Sequence, residues 1–356
     1  MAAGDGDAAP QVLELNRADG VFEGGGVKGI AFAGAIRAAE EEAGVREWVN
    51  VAGTSAGAIV ASLLAAGCDG AQLKQILEST RYRSFADYGF GGRLIGAPLN
   101  ALRSRGIARG RYFKQWLADR FSESPLGRSD PTFADVRRTD LPPDLPPEQA
   151  AAARYRLRVI ASDITEGRML ILPDDIEEYE DDDGQSFDRD SFPIVDAVRM
   201  SMGFPYFFDP VTLHRNGRVH LIVDGGLLSN FPVWLFDSPQ PVKRPTWGFR
   251  LHRGEGAESA PYRKVPRPLW PVPLGKAMFF AATEAWDRRM AKESQVRTVS
   301  IPTGTVPTLK FDLTDAERDF LYRSGYERTR KFLRTQREYL NSYGLRAQGP
   351  AGRAQR

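Results

Sequence analysis

The chain has 356 residues, 42% of them hydrophobic, and its 48 basic and 46 acidic side chains leave a net charge of +2. That length can bury a sizeable core, and so balanced a charge with no recognised nucleic-acid module argues against a nucleic-acid binder. Cys68 is the single cysteine, which excludes an internal disulfide and suits a small buried hydrophobe rather than a redox group.

Met1 to Pro10 is small and acidic where a signal peptide would be basic and then apolar, and no apolar run approaches the length of a membrane span. A cytoplasmic chain with a flexible N-terminus over 1–16 is therefore expected. A strand-like run, Val12 to Phe22, leads into Glu23-Gly24-Gly25-Gly26-Val27-Lys28-Gly29, and a helix is expected from Lys28 to Ala43. Successive glycines leave backbone N–H groups unshielded, which is what an anion or oxyanion cradle requires. Gly24, Gly26 and Gly29 also spell G-x-G-x-x-G, but a dinucleotide site needs an acidic residue at the end of the next strand. A P-loop fails too, because Lys28 is neither preceded by glycine nor followed by Ser or Thr.

The next strand, Val49 to Ala52, ends in Gly53-Thr54-Ser55-Ala56-Gly57, and a helix is expected from Ser55 to Ala66. A G-x-S-x-G sequence between strand and helix holds its serine on a tight turn, exposed at a helix N-terminus where backbone amides can meet a developing oxyanion. Successive strands of a parallel sheet end on the same side, so this turn and the glycine loop are expected to be neighbours.

Helices follow near Gly70 to Glu78 and Arg109 to Phe121, with the aromatic and glycine-rich stretch Phe85 to Gly96 between them as a lid candidate. The proline-rich, charged segment from Ser122 to Ala153 reads as a surface excursion with a short helix at Pro147 to Ala153. A strand spans Tyr155 to Ser162. The acidic run Asp174 to Asp190 lacks a metal-loop pattern and reads as a solvated insertion. After a helix at Pro193 to Ser201, the strand Val219 to Val223 ends in Asp224-Gly225-Gly226, with Asn230 and Pro232 beyond. Strands at Thr246 to Leu251 and Val296 to Ile301 flank a helix at Lys276 to Lys292. That helix and the preceding Pro266 to Pro273 read as core-packing rather than membrane-contacting. A last helix, Asp315 to Leu340, has Thr314 as N-cap and Phe320, Leu321, Phe332, Leu333 and Leu340 as its packing face, before a disordered tail over 346–356. Strands alternating with helices indicate an α/β layered fold around a mainly parallel sheet.

Taken together, Gly24 to Gly29, Gly53 to Gly57 and Asp224 to Gly226 with Asn230 and Pro232 resemble the three signatures of patatin-like phospholipases. Further matches lie at Thr132 to Asp135, Val159 to Gly167, Ala197 to Ser201 and Phe207 to Pro210. The resemblance implies a three-layer α/β fold, a mainly parallel central sheet flanked by helices, with lid or cap insertions. It also implies one catalytic domain over 17–345, with core motifs in 21–235 and a helical part in 275–345.

By the same resemblance, Ser55 is the nucleophile and Asp224 the general base of a dyad. Gly25 and Gly26 supply oxyanion-hole amides, and Gly24, Lys28, Gly29, Gly53, Ala56, Gly57, Gly225 and Gly226 support them. No cofactor or metal is implied. The implied substrate is a phospholipid or lysophospholipid acyl ester met at a membrane surface, and neither a protein partner nor a small-ligand activator is legible. An aspartate at its ordinary pKa of ~3.9 is a poor base for a serine, so Asp224 is expected to be buried beside Ser55. Two alternatives stay open. Ser55, Asp224 and His252 follow the chain order of an α/β-hydrolase triad, whereas His220 sits inside a strand as a structural group and His214 is the only other histidine. The fold also suits a binding or scaffold protein without turnover.

Overall fold

The computed structural model describes residues 16–85, 110–141, 143–205, 207–237, 244–252 and 295–335. The lid candidate beyond Phe85, the segment 266–292, the start of the first strand, most of the N-terminal stretch 1–16 and the end of the last helix with its tail lie outside the described residues.

β1 (Arg17–Phe22) and β2 (Glu47–Thr54) bury every residue but their first, as expected at the centre of a sheet covered on both faces, and the buried Asp19 accepts from the Asn50 amide at 3.0 Å. The remaining strands are β3 (Leu157–Asp163), β4 (Arg168–Leu172), β5 (Val211–Arg215), β6 (Arg218–Asp224), β7 (Thr246–His252) and β8 (Thr298–Pro302). Their order is β5-β6-β3-β2-β1-β7-β8, with β4 also on β3. Pairing is parallel from β3 across to β8 and antiparallel at β4, β5 and β6. The expected mainly parallel sheet is therefore present, with an antiparallel flank added.

The helices are α1 (Ile30–Ala43), α2 (Ala56–Ala65), α3 (Gly70–Ser79), α4 (Arg111–Glu123), α5 (Pro147–Ala153), α6 (Ile194–Ser201) and α7 (Asp315–Thr335). α1 starts later than Lys28, because Gly26–Gly29 form a tight 3₁₀ turn first. Phe22 stacks on Phe249 at 5.1 Å and meets Phe32 of α1 edge-on at 5.5 Å, which puts α1 on that face of the sheet. Val21 and Ala52, on the opposite face, pack against Phe231 and Val233. Cys68 is buried as expected, and burial pushes its thiol up to about 12. No helix among the described residues is long and apolar enough to cross a membrane.

Thr314 caps α7 in a reciprocal box: the Glu317 amide donates to Thr314 Oγ1 at 3.2 Å, and the Thr314 amide donates to Glu317 Oε2 at 2.9 Å. The packing face differs from the expected one. Leu321, Gly325, Thr329, Phe332 and Leu333 are buried, whereas Phe320, one residue and so about 100° round the helix from Leu321, is 44% exposed. The acidic run is solvated as expected at Glu177, Glu178, Asp182, Asp183 and Asp188, but it is also tied into the fold. Ile176 and Tyr179 are fully buried, Asp174 pairs with the buried Arg158 at 2.5 Å, and Asp190 accepts from Arg154 and Tyr155. Apolar residues among the acids anchor the segment, and basic neighbours from distant elements neutralise it.

α1 and α7 touch backbone to backbone. A Cβ on Gly325 would lie 1.8 Å from the Ala31 carbonyl oxygen, and one on Gly34 would lie 2.0 Å from that of Tyr322. Gly325→Ala is therefore expected to force the helices apart and cost roughly 1–3 kcal/mol, read as a lower urea midpoint at an unchanged slope.

Candidate active site

The site is set by how one edge of β3 is divided. β4 occupies one edge over Val159–Asp163. On the other edge β2 pairs up to Thr54 opposite Ile160, and β6 takes over with Asp224 opposite Ala161. Thr54 and Asp224 thus reach adjacent positions on one strand from opposite directions, and the turn at residue 55 meets the end of β6.

Close approach shapes that turn. A Cβ on Gly53 would fall 2.2 Å from the Gly57 carbonyl oxygen, and one on Gly57 would fall 2.2 Å from that of Phe22, so both glycines let α2 begin against the strand ends. Ser55 itself adopts φ 54, ψ −124, a conformation that costs a non-glycine residue about 1–3 kcal/mol. Its amide donates to Ser201 Oγ at 2.9 Å. Thr54 Oγ1 donates to the Ser229 carbonyl at 3.0 Å, tying the turn to the segment after β6.

Asp224 is 2% exposed, and the Ser55 hydroxyl lies near enough to its carboxylate to favour the charged form. Desolvation pushes its carboxyl up to about 7, opposed by the Gly226 amide at 2.8 Å and by Ser55. The hydroxyl has a single proton. In the structure it is directed at Met202 Sδ, a weak acceptor 3.7 Å from Ser55 Oγ, and an ionised Asp224 is the stronger acceptor beside it. Gly225 has no room for a side chain, since its Cβ would lie 2.3 Å from the Ile160 carbonyl oxygen.

The glycine loop lies alongside. A Cβ on Gly24 would come 3.2 Å from that of Ser55, and Asn230 brackets Gly24 by accepting from its amide at 3.2 Å and donating to its carbonyl at 3.3 Å. Gly26 has φ +56 and sits against the Thr308 carbonyl, which accepts from the Val27 amide at 3.2 Å. The amides of Gly25 and Gly26 find no acceptor among the described residues. Lys28 is 7% exposed, a buried cation of the loop rather than a surface one, and a Cβ on Gly29 would lie 3.4 Å from that of Ala56.

No histidine bonds Ser55 or Asp224. His220 is buried with Nδ1 2.6 Å from Asp163 Oδ2 and its ring edge-on to Tyr179, which bears out its structural reading. His214 faces Asp182 at 3.0 Å, and His252 ends β7 with its carbonyl accepting from Thr303. Among the described residues one group has metal-ligand spacing, Asp163, Glu166 and His220, but Tyr179, His220 and the amides of Thr165 and Glu166 already engage the Asp163 carboxylate. Met202, Gly203 and Thr308 carry no sequence signal toward this site. Ser201 falls within a family match that assigns it no role.

Residues 20–237 match the family model of patatin-like phospholipases. The chain belongs to this family and is by class a lipid-ester hydrolase. It is 34% identical over 323 residues to the uncharacterized protein YqhO of Bacillus subtilis (strain 168), covering 89% of this chain and 98% of YqhO. Among solved structures, VipD from Legionella pneumophila shares the fold, with a TM-score of 0.52 at 18% identity over 94% of this chain and 72% of VipD. The ExoU–SpcU complex from the type III secretion system of Pseudomonas aeruginosa scores 0.49 at 18% identity, over 92% and 53% of the respective chains.

A folded-state pKa near 7 has two consequences. The carboxylate form of Asp224 predominates only above about pH 7, so kcat/KM is expected to rise about tenfold per pH unit below that value and level off above it. Because the folded value exceeds the unfolded one, the native state keeps a proton that the unfolded chain releases from about pH 4, and the resulting stability is lost as pH rises through 7. Asp224→Asn removes this burden, and at pH 8 is expected to raise unfolding stability by on the order of 2–4 kcal/mol over wild type in denaturant titrations.

Proposed function

We propose that the chain is a serine acyl hydrolase that cleaves fatty-acyl esters of phospholipids or lysophospholipids through a Ser55–Asp224 dyad. The carrying observation is the meeting of a serine on a strained strand-to-helix turn with a buried aspartate, whose carboxyl desolvation raises to about 7 and the nearby Ser55 hydroxyl lowers. Ser55 Oγ attacks the acyl carbonyl while Asp224 accepts its proton. The carbonyl oxygen, now negative, is met by the amides of Gly25 and Gly26, which have no competing acceptor among the described residues.

As the tetrahedral intermediate collapses, the ester C–O bond breaks and Asp224 returns its proton to the departing lipid alcohol. Asp224 then draws a proton from water, hydroxide oxygen attacks the acyl-enzyme, and the fatty acid leaves with Ser55 reprotonated. Desolvation supports this role, since a carboxyl near 7 is a far better base than one at ~3.9 and remains ionised in a mildly alkaline medium. A triad through His252 has no supporting contact with either dyad member, and the intact geometry disfavours a silent scaffold. On this proposal the chain works in the cytoplasm and touches the membrane surface only transiently to draw its substrate.

Release of fatty acid from a fluorescent phospholipid and a lysophospholipid, beside a short-chain ester, tests the proposal. Ser55→Ala and Asp224→Asn are each expected to lose roughly 1,000-fold or more in kcat, with His252→Ala close to wild type. A comparable loss in His252→Ala would transfer the base to that histidine.

A further inference from the structure

The proposed dyad members are far apart in sequence, and β3 aligns only their backbones. A second element touches both. α6 ends at Ser201, and the three residues Ser201, Met202 and Gly203 meet the site one after another. Ser201 Oγ accepts the Ser55 amide at 2.9 Å, Met202 Sδ lies 3.7 Å from Ser55 Oγ, and the Gly203 carbonyl accepts the Asp224 amide at 2.9 Å. The tripeptide is itself held by the helix end, with the Met202 amide donating to Val198 at 2.9 Å and the Gly203 amide to Met200 at 3.0 Å.

Ser201 is fully buried, so its hydroxyl is a fixed partner and not a solvent-facing one. The Ser55 amide has no other acceptor among the described residues, and its donation to Ser201 takes it out of any oxyanion contact. Ser55 also departs from the usual backbone regions, a state that persists only where surrounding groups over-determine it. Gly203 fits this position closely, because a Cβ there would lie 2.9 Å from the Met200 carbonyl oxygen and 3.3 Å from Val223 Cα.

We infer that Ser201 is a positioning residue for the reaction: its hydroxyl holds the Ser55 amide, and with Met202 and Gly203 it sets the separation of nucleophile and base. This rests on the dyad proposed above. Ser201 does not touch the reacting atoms, and its effect falls on the geometry of the attack rather than on substrate binding.

The test compares Ser201→Ala and Ser201→Thr with wild type in three readouts: kcat and KM for a fluorescent phospholipid, the pH profile of kcat/KM, and the rate and final extent of Ser55 labelling by a fluorophosphonate probe. Ser201→Ala is expected to lower kcat roughly 10- to 100-fold with KM within about twofold, to slow labelling by a similar factor while still reaching full extent, and to keep the acid-limb midpoint near 7. Ser201→Thr retains the hydroxyl and is expected to recover most of the rate. Should Ser201→Ala fail to fold, Ser201→Cys, which keeps the volume but replaces the hydroxyl by a weak acceptor, carries the test: a labelling rate equal to wild type overturns the assignment. So does a folded Ser201→Ala with wild-type kcat, or one whose loss is all in KM. A wild-type chain that labels but hydrolyses no lipid refutes the lipid-substrate proposal alone, leaving the labelling comparison to decide on Ser201. One that neither labels nor hydrolyses refutes both.

Discussion

The handover along one edge of β3 is the constraint on which the site depends. β2 leaves that edge at Ile160 and β6 enters it at Ala161 from the opposite direction. A parallel strand and an antiparallel strand cannot both continue there, so two chain ends meet head to head. One turns sharply into α2 and the other into the Asp-Gly-Gly turn. Ladder hydrogen bonds fix each strand's register, and a slip of one residue would flip every side chain to the other face and part Ser55 from Asp224. The antiparallel flank of this mainly parallel sheet thus brings a carboxylate to the turn that carries Ser55.

The meeting point is energetically unfavourable in itself. Ser55 holds a strained backbone and Asp224 gives up hydration, two costs of a few kcal/mol each in a protein of marginal net stability. The groups described around Asp224 do not offset them in full, since the Gly226 amide and the Ser55 hydroxyl lower its carboxyl yet leave it raised to about 7. Compensation comes from the surrounding layers, where Phe22, Phe32, Phe249 and Trp247 are fully buried and α1 and α7 close on each other through paired glycines. Packing remote from the site is what holds the site in a conformation it would not adopt alone.

Much of this was legible in the sequence, for physical reasons that differ by element. Gly53, Gly57 and Gly225 could be read because backbone-to-backbone contact tolerates no side chain, and such demands leave fixed residue types behind. The central strands were legible from apolar stretches such as Val49 to Ala52, whereas β4 and β5 were not: five residues each, with seven of their ten positions partly or fully exposed, they carry no clean period. Phe320 misled because hydrophobicity alone does not report azimuth on a helix, and the anchoring of the acidic run was not legible because the arginines that pair with it come from elsewhere in the chain. Thr308 was invisible for a different reason. It acts through its carbonyl oxygen, which every residue type provides.

The absence of a histidine from the two dyad partners has a consequence for the proton's path. In a triad the imidazole carries the proton away from serine and a carboxylate stabilises the resulting charge. Here the carboxylate is the proposed acceptor itself, so proton transfer neutralises a buried anion as an oxyanion forms nearby, and the net charge of the pocket is conserved. Desolvation then favours the forward step, because it penalises the ionised aspartate more than the neutral acid. The oxyanion inherits the penalty, and the unengaged amides of Gly25 and Gly26 are the groups suited to relieve it. Burial of Asp224 and exposure of those two amides are therefore complementary requirements of one charge relocation, and neither would serve the reaction without the other.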